Sequence, residues 1–253
     1  MLLIRREQME VFEKVARRPF EDEMVLHSQE FSPKLCKVIG EKQLRIALDQ
    51  AIDKAKTYNF TYRGPVRLYI ELMFLLGSHF DTDPQYVKFN KLLNATGNQM
   101  QRAEHIHREI NDYIQVVSGE NNINVRKALE ALWIFAKKPI TFGLNDFVEG
   151  MCKEMTLIFP QKTAYIGKDS LVKLIHEGQS EAQKYDFLGI RANSLIVVLM
   201  FAFGHGCIND PLYPWISKTI KNKSIIDPVD KTKLLEKKSL IWLDKVLSRH
   251  KKV

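Results

Sequence analysis

The sequence contains little cysteine and no long apolar run. Cysteine occurs three times in 253 residues, at Cys36, Cys152 and Cys207. Cysteines this few and this scattered exclude a disulfide scaffold or a cysteine-rich zinc site, and they are typical of core residues in a reduced, intracellular protein. The longest apolar run covers nine residues, 195–203, whereas a membrane-spanning helix needs about 20. Because the first residues also lack a signal-peptide core, we expect a cytoplasmic protein that does not bind a membrane.

Motifs that mark common enzymes and cofactor sites are also absent. The chain has no glycine-rich phosphate loop, no Gly-x-Ser-x-Gly elbow and no His-Glu-x-x-His helix. Its 12 glycines leave few tight catalytic loops. We therefore expect no enzymatic activity, no cofactor and no bound metal. An active site assembled from residues far apart in the sequence is an alternative that these absences do not address.

What the sequence does contain is an internal repeat. When the chain is shifted by 127 residues without a gap, 18 of the 74 positions from Phe20 to Leu93 pair with an identical residue, several times the number that random pairing would give. The residues matched in this way are mostly core types and turn formers: Phe20, Met24, Pro33, Ile39, Gly40, Leu44, Ala55, Tyr58, Phe60, Leu68, Leu72, Met73, Phe74, Gly77, Asp83, Pro84, Tyr86 and Lys91. Since a shared fold needs these residue types, we predict a tandem duplication of one multi-helix module, with the first module at 1–118 and the second at 119–253.

Apolar residues at helical spacing predict that both modules are all-α. The segments 66–76 and 194–203 are apolar on almost every side, so they are expected to be the central helices of the bundle, with Leu72, Met73, Leu199 and Met200 buried. The other predicted helices are 5–17, 20–31, 41–58, 100–117, 125–137, 142–159 and 231–250. One more helix is predicted 127 residues after 41–58, as its counterpart in the second module.

The same turn residues follow both central helices. Gly77 and Gly204 are expected to end these helices. Asp83-Pro84 and Asp210-Pro211 are expected to begin the next helix, with aspartate as the N-cap and proline in the first turn. A cap accounts for Asp81-Thr82-Asp83 better than a metal site does, because Mg²⁺ or Ca²⁺ would need several more oxygen ligands.

Two histidine motifs also have simple interpretations. His105 and His107 point about 200° apart on the predicted helix, so they cannot share a metal ion. His205-Gly206-Cys207 suggests a Cys–His nucleophile, but adjacency in the sequence does not supply the hydrogen bond and the orienting third group that such a site needs. The first module has Ser78-His79-Phe80 at these positions. We expect a turn after a buried helix.

Basic charge is concentrated near the C-terminus. The net charge is +8, and residues 221–253, with ten Lys/Arg and four Asp/Glu, contribute +6 of it. A nucleic-acid site would combine basic residues with aromatic or groove-reading elements, so we expect a solvated lysine face that steers an acidic protein partner. Aromatic residues near the repeat loops are expected to supply affinity, or else to pack those loops onto their own module. The candidate partner-binding residues are Tyr86, Tyr213, Trp215, Lys237, Lys238 and Lys245.

Several segments resemble a known family. They are LIRREQM at 3–9, FED at 20–22, MVLH at 24–27, IGE at 39–41, LMFLLG at 72–77, FDTDP at 80–84 and DPLYPW at 210–215. Together they resemble small bacterial proteins encoded beside polymorphic toxins, particularly the cargo of type VI secretion systems. Val87-Lys88 stands where the family's Pro-Trp would follow the first Asp-Pro.

The resemblance implies one of two binding functions. In the first, the chain is an immunity protein that binds and neutralises its cognate toxin. In the second, it is an adaptor or chaperone that holds a toxin or its spike-bound domain until secretion. We expect the immunity function, because a duplicated and diverged copy suits a protein fitted to one target. The sequence leaves the oligomeric state open.

Overall fold

The computed structural model describes the backbone of residues 6–250 and the side chains of residue 15 and residues 17–247. The described chain forms thirteen α-helices and no β-strand, which confirms the predicted all-α fold. None of these helices combines the length and the apolar character needed to cross a bilayer. The helices are α1 (Arg6–Phe31), α2 (Pro33–Ile39), α3 (Glu41–Thr57), α4 (Arg63–Leu76), α5 (Val87–Leu93), α6 (Gln99–Tyr113), α7 (Ile123–Phe135), α8 (Phe147–Ile158), α9 (Pro160–Ile166), α10 (Lys168–Lys184), α11 (Ile190–Phe203), α12 (Pro214–Ile220) and α13 (Pro228–His250).

Helix α1 is continuous where the sequence predicted two helices. Pro19 lies inside it. The guanidinium of Arg17 pairs with Glu21 on the same helix and with Asp49 and Asp53 on α3. After the proline, Asp22 pairs with Arg45 of α3, so both sides of Pro19 contact the same neighbouring helix.

The central helices are buried as predicted. Leu72 and Met73 of α4 are 0% and 1% exposed, and Leu199 and Met200 of α11 are 4% and 1% exposed. Helix α3 packs against α4, and α10 packs against α11. In each pair, the amphipathic helix covers the central helix with one apolar side and leaves its polar side in water.

The described buried side chains form two clusters. The first core contains residues between Met24 and Val117, joined by Leu212. The second core contains residues between Leu132 and Leu243. The chain passes from one to the other through a π-helical turn, Ile114–Ser118, and a 3₁₀ turn, Glu120–Asn122.

Four consecutive helices have the same bounds after a shift of 127 residues. Helices α2, α3, α4 and α5 begin and end 127 positions before α9, α10, α11 and α12, respectively. The turns between them also agree: Gly40 and Gly167 have φ values of 77° and 79°, and Asn59 and Asp186 have φ values of 56° and 60°. The sequence repeat is therefore accompanied by a repeat of local structure.

One predicted helix start is wrong. Asp83 caps a short 3₁₀ helix, Pro84–Tyr86, by accepting a hydrogen bond from the N–H of Gln85. Asp210 accepts the equivalent bond from the N–H of Leu212, but Asp210-Pro211 begins a turn, and helix α12 starts only at Pro214. Helix α5 begins at the equivalent position, Val87, so the later start is shared by both copies, and Pro214 only fits it because its φ suits a first helical turn.

Candidate functional site at the junction of the two cores

The loops that follow α4 and α11 meet each other. We call residues 77–83 and 204–210 together the junction. Gly77 and Gly204 have φ values of 99° and 94°, which side chains rarely adopt. A Cβ atom on Gly77 would lie 2.5 Å from the carbonyl oxygen of Phe203, and one on Gly204 would lie 3.0 Å from that of Leu76. Glycine therefore permits both the turn and the close approach of the two backbones.

Two buried carboxylates connect these loops. Asp83 Oδ2 accepts a hydrogen bond of 2.6 Å from the backbone N–H of His205. Asp210 Oδ2 accepts one of 2.8 Å from the backbone N–H of Ser78, whose hydroxyl donates to Asp210 Oδ1 at 2.6 Å. His205 lies 127 positions after Ser78, and Asp210 lies 127 positions after Asp83. The same contact is thus made twice with the roles exchanged.

Burial dominates the electrostatics of this region. It raises the pKa of the Asp83 and Asp210 carboxyl groups, and the hydrogen bonds that they accept oppose the shift. Lys162 of α9 is 3% exposed, and burial lowers its pKa to about 8 against the attraction of Asp83. Its Nζ donates to the carbonyl oxygen of Phe201 at 2.5 Å and lies 5.4 Å from the ring centre of Tyr86. A buried cation therefore accompanies the buried carboxylates.

An open cleft of about 920 Å³ lies beside the junction, between its two loops and α10. Side chains from both halves of the chain line it, including His79, Thr82, Lys173, Glu177, His205 and Asn209. The cleft thus carries acidic, basic and hydroxyl groups on a largely apolar lining. Within the described residues, no group of three His, Cys, Asp or Glu is arranged to hold a metal ion.

His205 links the two sides of this cleft. Its Nδ1 lies 3.2 Å from Glu177 Oε2, and its Nε2 lies 3.0 Å from Thr82 Oγ1. Burial lowers the pKa of His205, but the hydrogen bond to Glu177 and the charges of Asp83 and Asp81 outweigh this, so the net shift is upward. The structure thus brings an acid, a base and a hydroxyl group into one hydrogen-bonded row.

Cys207, the last residue of the His205-Gly206-Cys207 motif, does not form a nucleophilic site with His205. Cys207 is 1% exposed, and burial raises the pKa of its thiol well above the usual value, which keeps it protonated. Its location agrees with the interpretation of this motif as a turn after a buried helix. His79 of the other loop packs edge-to-face with His205 at 6.4 Å, and burial lowers its pKa.

The other short motifs are placed as follows. His105 and His107 are both exposed on α6. Asp81 is fully buried, and its carboxylate accepts a hydrogen bond of 2.7 Å from the hydroxyl of Tyr58 and pairs with Lys54 at 3.1 Å. Both aspartates of the motif at 81–83 are therefore used inside the protein, and the second one connects the two loops as well as capping a turn.

The aromatic candidates differ from the expected surface anchors. Tyr86 is 3% exposed and packs edge-to-face with Tyr113, so it offers no surface to a partner, and its prediction as an anchor is corrected. Tyr213 and Trp215 are half-buried. They pack on the ring of Phe203, at 4.6 Å and 6.4 Å between ring centres. All three candidates take part in packing their loops, which was the alternative interpretation.

The lysine candidates lie on one exposed side of α13. Lys237, Lys238 and Lys245 are exposed, together with Ile241 and Asp244. Their spacing of three and four residues makes one stripe along the helix. We call these five residues the α13 stripe. The Arg249 side chain and the lysines at 251 and 252, also expected on this face, lie outside the described residues.

Sequence reasoning missed the row formed by Glu177, His205 and Thr82. Thr82 and His205 are 123 positions apart, and no spacing rule joins them. The repeat itself was the available signal, because two copies that pack by the same surface would bring residues near 80 and 206 together.

Comparison with known proteins adds no name to this architecture. No protein-family model, curated protein or solved structure matches the chain.

Proposed function

We propose that the chain is a tandem duplication of one helical module, divided at 1–118 and 119–253, whose copies pack as a pseudo-two-fold pair. The support is the 127-residue agreement of four helices and the reciprocal bonds of Asp83 and Asp210. In a two-fold contact, residue i of one copy meets residue j of the other, and j meets i. Duplication of the module would thus join two copies that pack like the subunits of a dimer into one chain.

We further propose that this protein acts by binding another protein, and that it is an immunity protein that neutralises a cognate toxin in the cytoplasm. The observation that carries the binding proposal is the α13 stripe. It exposes three lysines around Ile241, which is 40% exposed. A stripe with an apolar centre and three lysines against one aspartate suits an acidic partner surface, because charge steers the encounter and apolar burial adds affinity. The toxin partner is inferred from the family resemblance.

The test is a rescue experiment. Cells would express the toxic domain of the neighbouring effector alone, or together with this chain. Immunity predicts that growth is restored and that the two proteins co-purify. A variant with Lys237, Lys238 and Lys245 changed to Glu should rescue growth less well at equal expression.

The adaptor function gives a different result in the same experiment. An adaptor would bind a region of the effector outside the toxic domain, would not restore growth, and would be required for secretion. Absence of any complex with the effector would overturn both binding proposals.

A further inference from the structure

Glu177, His205 and Thr82 have the arrangement of an activated nucleophile. The carboxylate of Glu177 at 3.2 Å favours the tautomer of His205 that carries its proton on Nδ1. Nε2 is then an acceptor for the hydroxyl of Thr82 at 3.0 Å. The alternative acceptor for this hydroxyl, the carbonyl oxygen of His79, is farther away at 3.3 Å. A base that contacts a hydroxyl group and is itself oriented by a carboxylate is the arrangement used in nucleophilic catalysis.

The hydroxyl group is accessible. Thr82 is exposed, and it lines the cleft of about 920 Å³ together with His205 and Glu177. Lys173 and Asn209 line the same cleft and carry N–H donors. The Oδ1 atom of Asn209 accepts a hydrogen bond from Lys221 at 2.6 Å, which orients that amide. A small carbonyl compound can therefore reach Thr82 in a cleft that also holds hydrogen-bond donors.

The row occurs on only one side of the junction. The residues 127 positions away from Glu177, His205 and Thr82 are Gln50, Ser78 and Asn209, which provide neither the base nor the carboxylate. The structural contacts of Asp83 and Asp210, by contrast, are made on both sides. The contacts of the two aspartates therefore join the loops on both sides without the row.

We propose that Thr82, His205 and Glu177 form a site that accepts an acyl group from a small ester. Thr82 Oγ1 attacks the carbonyl carbon while its proton passes to His205 Nε2. The bond between the carbonyl carbon and the alcohol oxygen then breaks, and the alcohol leaves with the proton from Nε2. Water, deprotonated by His205, attacks the acyl-threonine, and the acid leaves as the Thr82 hydroxyl is restored. This activity is independent of the proposed binding function, and it departs from the expectation of no enzymatic activity.

The test uses p-nitrophenyl acetate and the full chain. Release of p-nitrophenol would be followed by absorbance, and the acetylated residue would be located by peptide mass spectrometry. We expect to find an acetyl group on Thr82 and to lose it in Thr82→Val. In Glu177→Gln, acetylation of Thr82 should be about 100-fold slower. Ser180→Ala is the matched control, because Ser180 lines the same cleft but its hydroxyl donates to the carbonyl oxygen of His176.

The pH profile shows whether His205 acts as a base for the Thr82 hydroxyl group or only holds the structure of the cleft. Labelling needs neutral His205, so its rate should rise with pH through the pKa of this residue, which faces Glu177, Asp81, Asp83 and His79. Removing the carboxylate in Glu177→Gln should shift the midpoint to lower pH. Each variant is checked for an unchanged helical circular dichroism spectrum. Equal release from Thr82→Val and the unchanged chain, or acetyl only on surface lysines, would overturn the proposal.

Discussion

The backbone N–H of His205 donates a 2.6 Å hydrogen bond to the carboxylate of Asp83, a residue 122 positions earlier in the chain. Asp210 repeats this contact with Ser78. Both aspartates are almost fully buried, at 1% and 2% exposure. Each one therefore satisfies backbone donors that the close packing of the two loops has removed from water.

Changing either aspartate to asparagine should destabilise the protein. In Asp83→Asn and Asp210→Asn, an NH2 group replaces one of two oxygens that each accept a backbone N–H. One buried N–H therefore loses its acceptor, and we expect a cost of about 1–3 kcal/mol each. Urea unfolding followed by circular dichroism measures it. Asp22→Asn is the control, since Asp22 is exposed in a surface pair with Arg45, where losses are about 0–1 kcal/mol. Equal costs at all three positions would show that the junction hydrogen bonds contribute no more to stability than an exposed surface pair does.

The junction glycines should not tolerate a side chain. Gly77→Ala and Gly204→Ala place a Cβ at a φ and ψ that only glycine adopts easily and against a backbone carbonyl of the other loop. We expect a loss of about 1–3 kcal/mol from backbone strain. Gly64→Ala, with nothing within 4 Å of its Cβ, should instead be neutral or stabilising by up to about 1 kcal/mol because alanine favours the helix. Thermal unfolding of the three variants provides the comparison, and an unchanged Gly77→Ala would contradict the close approach.

Lys162 should make the free energy of unfolding depend on pH in the alkaline range. Its pKa is about 8 in the folded protein and about 10.4 in the unfolded chain. Between these values the unfolded state holds a proton that the folded state has lost, so the unfolding free energy rises with pH. We subtract the unfolding free energy of Lys162→Leu from that of the unchanged protein. This difference should increase by about 2 kcal/mol from pH 7.5 to pH 10.

The choice of leucine for this variant comes from the repeat. Leu35 stands 127 positions before Lys162, so leucine fits the equivalent place on α2. Urea midpoints would be measured for both proteins at each pH, and tyrosine ionisation cancels in the difference between them. A difference that does not change with pH would show that Lys162 titrates normally.

Truncation in the central helices should be costly. Leu72→Ala and Leu199→Ala each remove a large aliphatic side chain from a packed core, which costs about 2–5 kcal/mol. Leu157→Ala is the control, because Leu157 is 70% exposed on α8. Urea midpoints that stay the same in both core variants would mean that α4 and α11 are not central.

Reversing the charge of the α13 stripe should slow partner association. With Lys237, Lys238 and Lys245 changed to Glu, association with the proposed toxin partner should be slower and less salt-dependent, since a rim charge acts mainly on the encounter rate. The control reverses three exposed lysines elsewhere, Lys56, Lys91 and Lys127, which gives the same net charge. Stopped-flow or surface-based kinetics at two salt concentrations would separate the two variants. If both behave alike, the effect is one of net charge and the interface lies elsewhere.

Much of the architecture could be read from the sequence, because it depends on local patterns. The apolar spacing in α3 and α10, the continuous apolar character of α4 and α11, and the glycines that end these two helices each act within a few residues. They predicted the helical class and the central helices. They did not predict that α1 continues through Pro19, where Arg17 pairs with Asp49 and Asp53 of a helix far along the chain.

The contacts at the junction could not be predicted from such local patterns. Sequence patterns were sufficient for the all-helical class, the burial of the two central helices, the repeat at 127 positions and the basic C-terminal helix. Only the tertiary structure decided that Asp83 reaches across to His205, that Tyr86 is buried, and that Glu177, His205 and Thr82 share a cleft. Local propensity acts over a few residues, whereas these contacts join groups that are far apart in the chain and become neighbours only after the two cores have packed against each other.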